Sequence, residues 1–316
     1  MLRDEAGDQV PIWSQEWWRK NRVFSVSRRI RASSSALRRA RFTAHARSNV
    51  AVPPLVSDPI SVTVVIPTYN ERDSLPACAE RILALGASYA IVVVDDNSPD
   101  GTGAVADDLA QAHPGRMQVI HRPVKAGLGP AYVAGLQAVL DRGAEAIVTM
   151  DADLSHDPAA LPRLVESLRD HDLVVGSRYV PGGATRGWPL YRRLLSWFGG
   201  RYAAMVLGIP IADMTSGFKA FRPSTLETVD LQTMSSDGYA FNIEITYRSW
   251  SRGCRVKEVP IVFTDRVAGR SKLSRRIMAE AMVVVWRLRL GHDRPRPSAS
   301  YREPSMTDRR SAPRRH

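Results

Sequence analysis

Three acidic clusters in the sequence have the residue types and spacing for ligand chemistry: Tyr69-Asn70-Glu71, Asp95-Asp96-Asn97-Ser98 and Asp151-Ala152-Asp153. Each follows a short apolar run rich in β-branched residues, so each is expected at or just beyond the end of a strand, facing a ligand crevice. In the third cluster an extended backbone turns alternate side chains to the same side. Asp151 and Asp153 can then reach one oxygen-seeking cation of the Mg2+ or Mn2+ type. Such a cation would neutralise a diphosphate leaving group. An isolated Asp-x-Asp reads as a solvated turn. The apolar run ahead of this one favours the metal-binding reading.

Positive charge recurs further along, at Arg178, at Arg192 and in the segment Arg266-Val-Ala-Gly-Arg-Ser-Lys272. Any one of these alone reads as a solvated surface cation. Together, and with a glycine in the loop, they could cradle a phosphate, because the planar guanidinium fork binds two phosphate oxygens at once. A competing motif, Gly101-Thr-Gly103-Ala-Val-Ala106, matches the dinucleotide fingerprint. That fingerprint expects an acidic residue about 20 positions later to hold a ribose hydroxyl, and the region reads Ile120-His121-Arg122. The glycines are therefore read as turn and helix-start residues. No GxxxxGK[ST] phosphate loop is present.

The elements that must position these groups follow from periodicity. Apolar runs at 61–68, 90–95, 117–121, 146–150 and 173–177 alternate with helix candidates near 72–85, 102–113, 128–142 and 158–169. That alternation predicts an α/β fold with a mainly parallel sheet covered by helices. Beyond Val180 the pattern loosens into helix candidates at 187–207 and 239–252, a strand near 256–264 and a last helix near 274–290. Trp188, Tyr191, Leu194, Leu195, Trp197 and Phe198 surround Arg192. Ile277, Met278, Met282, Val283, Val284, Val285 and Trp286 give the last helix an apolar character. Core packing accounts for much of both. The aromatic excess near Arg192 fits a lipid or interface surface.

The formal net charge of +12 resides at the ends of the chain. Residues 1–59 carry 11 Lys/Arg against 5 Asp/Glu and residues 287–316 carry 9 against 3, whereas residues 60–286 are balanced at 24 against 24. Basic ends suit an anionic partner such as lipid headgroups or nucleic acid, and equally suit solubilising disorder. Trp13, Trp17 and Trp18 among Arg19, Lys20 and Arg22 fit either a helix lying in a membrane interface or a disordered leader. The prolines of residues 52–59 mark a linker, and the Pro-, Ser- and Arg-rich stretch from Arg294 reads as a disordered tail. Three segments result: residues 1–59, 60–290 and 291–316. Cys78 and Cys254 lie far apart without CxxC spacing, which points away from a zinc site or a disulfide framework. The longest uncharged run, residues 126–140, is shorter than the roughly 18–20 residues a spanning helix requires. No secretory signal pattern opens the chain, and a position on the cytoplasmic side is expected.

Five ordered motifs resemble one family. They are Val64-Val-Ile-Pro67-Thr-Tyr69-Asn-Glu71, Val94-Asp95-Asp96-Asn-Ser-Pro-Asp-Gly-Thr102, Asp151-Ala-Asp153-Leu-Ser-His, Gly176-Ser-Arg178-Tyr and Ser216-Gly-Phe. They look like the family 2 glycosyltransferases, most of all those that transfer mannose to dolichol phosphate or polyprenol phosphate, and the resemblance runs from about residue 60 to 290. It implies a GT-A-like domain with C-terminal acceptor-binding helices, and the basic tails on either side of it are read from their composition as flexible. By the same resemblance Pro67, Tyr69, Glu71, Val94 and Asp96 would hold the nucleoside. Asp151 and Asp153 would bind metal and the donor diphosphate, and Ala152 would add backbone contacts. Ser155 stands where some members carry a glutamine in the metal shell, a poorer ligand that would act through water. Arg178, Arg192, Ser196, Arg266 and Lys272 would surround the acceptor phosphate. Asp153, Arg178 and Arg266 are the expected catalytic residues.

The implied reaction is an inverting transfer of mannose from GDP-mannose to a polyprenyl phosphate, with Mg2+ or Mn2+ as cofactor. The expected partners are those two substrates and an anionic membrane surface, with a membrane-anchoring protein left open and no nucleic acid. A phosphate monoester is mostly ionised near neutral pH, so no strong general base is needed and no histidine is assigned to catalysis. His156 is given a helix-start or structural role. The nearest rival is a UDP-glucose-dependent polyprenyl-phosphate glucosyltransferase. A processive polysaccharide synthase is disfavoured because its QxxRW motif is missing. From a different class, a non-catalytic basic nucleic-acid-binding protein would use the tails on phosphate backbones; the neutral middle with its acidic clusters argues against it.

Overall fold

The β-branched runs form strands that are buried on both faces. In β1, Val62–Thr68, Val62, Val64 and Ile66 point to one side and Val65 to the other, and all four are buried. The computed structural model describes residues 61–234, 236–265 and 275–291, and a two-residue antiparallel ladder pairing Leu2–Arg3 with Gln9–Val10. The chain divides into two units, residues 1–56, which contain that ladder, and residues 57–316, which contain the rest. The aromatic leader segment, the C-terminal tail, Arg266 and Lys272 lie outside the described residues.

After β1 come α1 (Leu75–Leu83), β2 (Tyr89–Asp95), α2 (Thr102–Ala112), β3 (Met117–His121), α3 (Leu128–Asp141) and β4 (Ala146–Thr149). A 3-10 turn, Pro158–Ala160, leads into α4 (Leu161–Ser167), then β5 (Leu173–Ser177), β6 (Ala184–Arg186) and α5 (Leu190–Leu207). The chain ends through β7 (Lys219–Phe221), α6 (Pro223–Val229), α7 (Gly238–Ser251), β8 (Val256–Pro260), β9 (Val262–Thr264) and α8 (Arg275–Arg289). The seven-stranded sheet has the order β8-β5-β7-β4-β1-β2-β3. All pairs are parallel except those of β7, which runs antiparallel to both β4 and β5. A small parallel pair joins β9 to β6.

Helices cover both faces. Leu75, Cys78 and Ile82 of α1, Ala106 of α2 and Leu161 and Leu164 of α4 pack on one side of the sheet. Tyr132, Leu136 and Val139 of α3, Leu226 of α6 and Phe241 and Ile245 of α7 pack on the other. A third cluster, Ala203, Leu207, Met214, Ile243, Val284, Val285 and Leu288, unites α5, α7 and α8.

Two of the expected elements are subdivided. The predicted helix at 158–169 begins as the 3-10 turn, and the predicted strand at 256–264 is broken at Ile261 into β8 and β9. The chain leaves β1 toward β2 and β3, then returns to the other side of β1 at β4, so a crevice opens between the carboxyl ends of β1 and β4. Pro67 sits there without disrupting a ladder, because the β1–β4 register stops at Val65↔Thr149. Its missing N–H faces no strand on that side.

Candidate active site

A cleft of about 290 Å3 lies at these strand ends. Pro67, Tyr69, Glu71, Asp96, Asp151, Ala152, Asp153, Arg178 and Arg192 all line it, so most of the predicted site residues converge on one hollow. Val94 does not line it. Strand alternation turns its side chain into the core with Val65 and Val92, against Gly135 of α3. Asp95 is also withdrawn. Its carboxylate accepts from Ser98 Oγ at 2.5 Å and Thr68 Oγ1 at 3.2 Å, and so braces the turn after β2. Asp96, next to it, accepts from Arg122 Nη1 at 2.6 Å and from the backbone N–H of Gly127 at 2.9 Å. Gly127 has φ of 106°, and a Cβ there would lie 2.2 Å from Asp237 Oδ2, so only glycine fits at this entry to α3.

The turns that carry the acidic clusters share a backbone device. Asn70, Asn97 and Leu154 all have φ near +60°. Asparagine tolerates this region, whereas a leucine is disfavoured there by roughly 1–2 kcal/mol. The turn that presents Asp153 is thus held against a local preference, as is common where side chains are aimed at a ligand.

Asp151 is fixed from two sides. The Tyr132 hydroxyl donates to its Oδ1 at 3.1 Å, and its own N–H points to His156 Nδ1 at 3.4 Å. Tyr132 is fully buried and stacks on Phe241, and burial together with Asp151 raises its phenol pKa well above the ordinary value. His156 is packed between Phe218 and Phe263. Burial lowers its pKa despite Asp151 and Asp153, which favours the neutral imidazole. The structural part of its expected role holds. The helix start belongs to Asp157, whose Oδ1 caps the 3-10 turn at Ala159 N. Below the acidic turn, burial and then the two carboxylates push the Cys78 thiol up to about 12, which leaves it un-ionised and unreactive.

The Ser155 N–H donates to Asp153 Oδ1 at 3.0 Å, while its buried Oγ has no hydrogen-bond partner among the described residues. Among those residues no cluster of three or more His, Cys, Asp or Glu side chains could hold a metal by itself. The two carboxylates therefore suit a hard cation that completes its shell with phosphate oxygens and water, as Mg2+ does, and do not form an all-protein cage.

The opposite wall is cationic. Arg178 is buried and makes a fork–fork pair with Asp213, Nε to Oδ2 at 2.8 Å and Nη2 to Oδ1 at 2.7 Å, and Nη2 also donates to Thr215 Oγ1 at 2.7 Å. Burial opposes both charges, but their mutual attraction wins, so the Arg178 pKa lies above and the Asp213 pKa below the ordinary values. Arg192 pairs with Asp265 at 2.9 Å, and its guanidinium carbon lies 4.3 Å from the ring centre of Trp188. Ser196 accepts from Tyr179 OH at 2.8 Å and lines an apolar groove adjoining the cleft. Sequence reasoning missed Asp213, Tyr132, Asn242 and Lys125, whose Nζ lies 3.5 Å from the Tyr69 ring centre. None of the four belongs to a recognisable motif.

A mainly parallel sheet with a switch-point cleft, an acidic pair at one strand end and cations at another is an architecture suited to a charged ligand. Residues 63–230 match the glycosyl transferase family 2 profile, and the chain belongs to that family and is a glycosyltransferase. It is 48% identical over 236 residues to a polyprenol monophosphomannose synthase of Mycolicibacterium smegmatis, covering 74% of this chain and 89% of that one. It is 46% identical over 226 residues to an undecaprenyl-phosphate mannosyltransferase of Micrococcus luteus, covering 72% and 93% respectively. Among solved structures, glucosyl-3-phosphoglycerate synthase of Mycobacterium tuberculosis, in complex with Mn2+, UDP and phosphoglyceric acid, is similar with a TM-score of 0.55 at 22% identity, covering 73% of this chain and 79% of that one. Another crystal of that protein holds Mg2+ and UDP. This likeness establishes a shared GT-A-like fold.

Proposed function

We propose that the chain transfers mannose from GDP-mannose to a polyprenyl phosphate, with inversion at the anomeric carbon, and that residues 60–290 form the catalytic domain. The observation that carries this reading is the junction of the charged cleft with an apolar groove. The groove, of about 260 Å3, is lined by Leu195, Phe198, Tyr202, Met282 and Val285 and shares Thr215 and Tyr239 with the cleft. A lipid phosphate needs that combination, cations for its head beside apolar walls for its tail. The two bacterial relatives, a polyprenol monophosphomannose synthase and an undecaprenyl-phosphate mannosyltransferase, support mannose as the sugar and a polyprenyl-type phosphate as the acceptor.

Pro67, Tyr69, Glu71 and Asp96 would hold the nucleoside, and Asp151 and Asp153 would hold Mg2+ or Mn2+ against the diphosphate, with Ala152 supplying backbone contacts. The metal-bearing structures of the mycobacterial synthase support such a cation. When bound, it would screen the charge that develops on the departing nucleoside diphosphate. Arg178 and Arg192, with Ser196, Arg266 and Lys272, would orient the acceptor phosphate, whose ionised oxygen attacks without a general base. The neutral, enclosed His156 is consistent with that economy.

The reading places the enzyme peripherally on the cytoplasmic face of a membrane. Among the described residues no helix is long and apolar enough to cross one. Tyr191, Leu194, Phe198 and Met205 of α5 and Met282, Val283 and Trp286 of α8 are exposed large apolar side chains, which suits insertion into an interface. The test combines purified protein, Mg2+ or Mn2+, polyprenyl phosphate and labelled GDP-mannose or UDP-glucose. A mannosylated lipid from GDP-mannose alone is expected. A glucosylated lipid would reassign the donor, and salt-dependent DNA binding without sugar transfer would overturn the reading.

A further inference from the structure

Lys219 is fully buried in the middle of the sheet, one strand away from the acidic turn. Its Nζ donates to the Ser216 carbonyl and, at 3.0 Å, to Asn242 Oδ1. With Asn242 Oδ1 accepting from Lys219, the NH2 group of that amide points the other way.

Asn242 is 5% exposed, and that small exposure opens on the cleft, which it lines. Its Nδ2 makes no hydrogen bond among the described residues. A methyl group built on Gly217 would lie 3.7 Å from Nδ2 and 3.6 Å from Asp151 Oδ1, so the amide and the acidic residue border the same hollow. The hollow is part of the cleft that Asp151, Asp153 and Arg178 also line, and a glycine keeps it open.

We infer that Asn242 is a sugar-recognition residue, its NH2 group donating to a hydroxyl of the transferred hexose. This rests on the nucleotide-sugar reading above and extends it. The reacting groups divide by charge. The diphosphate goes to the acidic side with its cation, and the acceptor phosphate goes to the arginines. What remains between them is an uncharged, hydroxyl-bearing ring. A neutral amide whose oxygen is already engaged offers only N–H donors, which match a hydroxyl oxygen. A buried donor left unpaired by the wrong sugar is a strong source of selectivity.

The experiment measures GDP and GDP-mannose binding in MgCl2, and transfer to polyprenyl phosphate, for wild type, Asn242→Ala and Asn242→Asp. The aspartate variant keeps the shape and the Lys219 contact but loses the donor, so it remains informative if the alanine variant folds poorly. GDP affinity is expected to stay within about twofold, while kcat/KM for GDP-mannose falls about tenfold, the size of one lost hydrogen bond. Across a series of mono-deoxy GDP-mannose analogues, wild type should penalise loss of one particular hydroxyl and the variants should be indifferent to that same hydroxyl. Equal losses for GDP and GDP-mannose, or unchanged discrimination at every hydroxyl, would overturn the assignment. A wild-type enzyme that transfers no sugar from GDP-mannose would instead defeat the underlying reading, and the assignment with it.

Discussion

Arg178 and Asp213 face each other as a fully buried fork, with the Arg178 backbone N–H adding a third bond to Asp213 Oδ2 at 3.0 Å. Asp213 is itself seated by Glu258, whose carboxylate accepts from the N–H groups of Ala212 and Asp213 at 2.8 and 2.9 Å. The guanidinium is thus held in place before any ligand arrives. Leaving one member of such a pair alone typically costs about 3–5 kcal/mol. Asp213→Ala should lose stability of that order in denaturant unfolding, and a loss below about 1 kcal/mol would show that the pair is not buried as described.

The acidic turn has its own support in Tyr132. Asp153→Asn is expected to abolish metal-dependent turnover while leaving circular dichroism and the thermal midpoint near wild type. Tyr132→Phe keeps the ring stack on Phe241 and removes only the donor to Asp151. Partners behind a metal ligand usually matter about 10–100-fold in affinity. The metal concentration for half-maximal rate should rise by about that factor, and an unchanged metal titration would dissociate Tyr132 from the site.

Gly217 has room for a methyl group at ordinary contact distances and lacks a positive φ. Gly217→Ala should therefore fold with a thermal midpoint close to wild type. It should nevertheless lose sugar transfer at least tenfold, because the methyl group occupies the floor of the cleft. Full activity in this variant would place the sugar elsewhere.

Lys219 supplies a pH signature. Burial lowers its pKa to about 7, with Arg178 acting in the same direction and Asp213 and Asp151 opposing it. In the unfolded chain the amine titrates near its ordinary value, so between about 7 and that value the unfolded state binds the extra proton and stability rises with pH. The contribution is lost as pH falls through about 7. Compared with Lys219→Met, wild type should gain stability as pH increases across this window, with a slope approaching about 1.4 kcal/mol per pH unit. Parallel pH profiles would show that the lysine is charged throughout.

The sequence made β1, β2, β4 and β5 legible because strands buried on both faces need unbroken β-branched runs. The strand-end carboxylates were legible for the same reason. What escaped had no such pattern. β7 is three residues long and opens with Lys219, a residue that enters a core only because Ser216 and Asn242 receive its donors. Asp213 lies in a loop, and only the fold brings it to Arg178. Val94 was assigned to the ligand from its motif, but period-two alternation sends it to α3. Family resemblance picked out segments that meet at the cleft, whereas the direction of each side chain depended on contacts far apart in sequence.

The reversed strand β7 also acts as a ruler. Neighbouring strands lie about 4.8 Å apart, so inserting one between β4 and β5 sets the end carrying the acidic pair about 10 Å from the end carrying Arg178. Because β7 runs the other way, no crossover loop crowds that gap; the chain enters it through Thr215, Ser216 and Gly217. On the proposed function, the interval between leaving group and nucleophile is therefore written into the hydrogen-bond ladder of the sheet. Changing that interval would require altering the strand order as well as the loops.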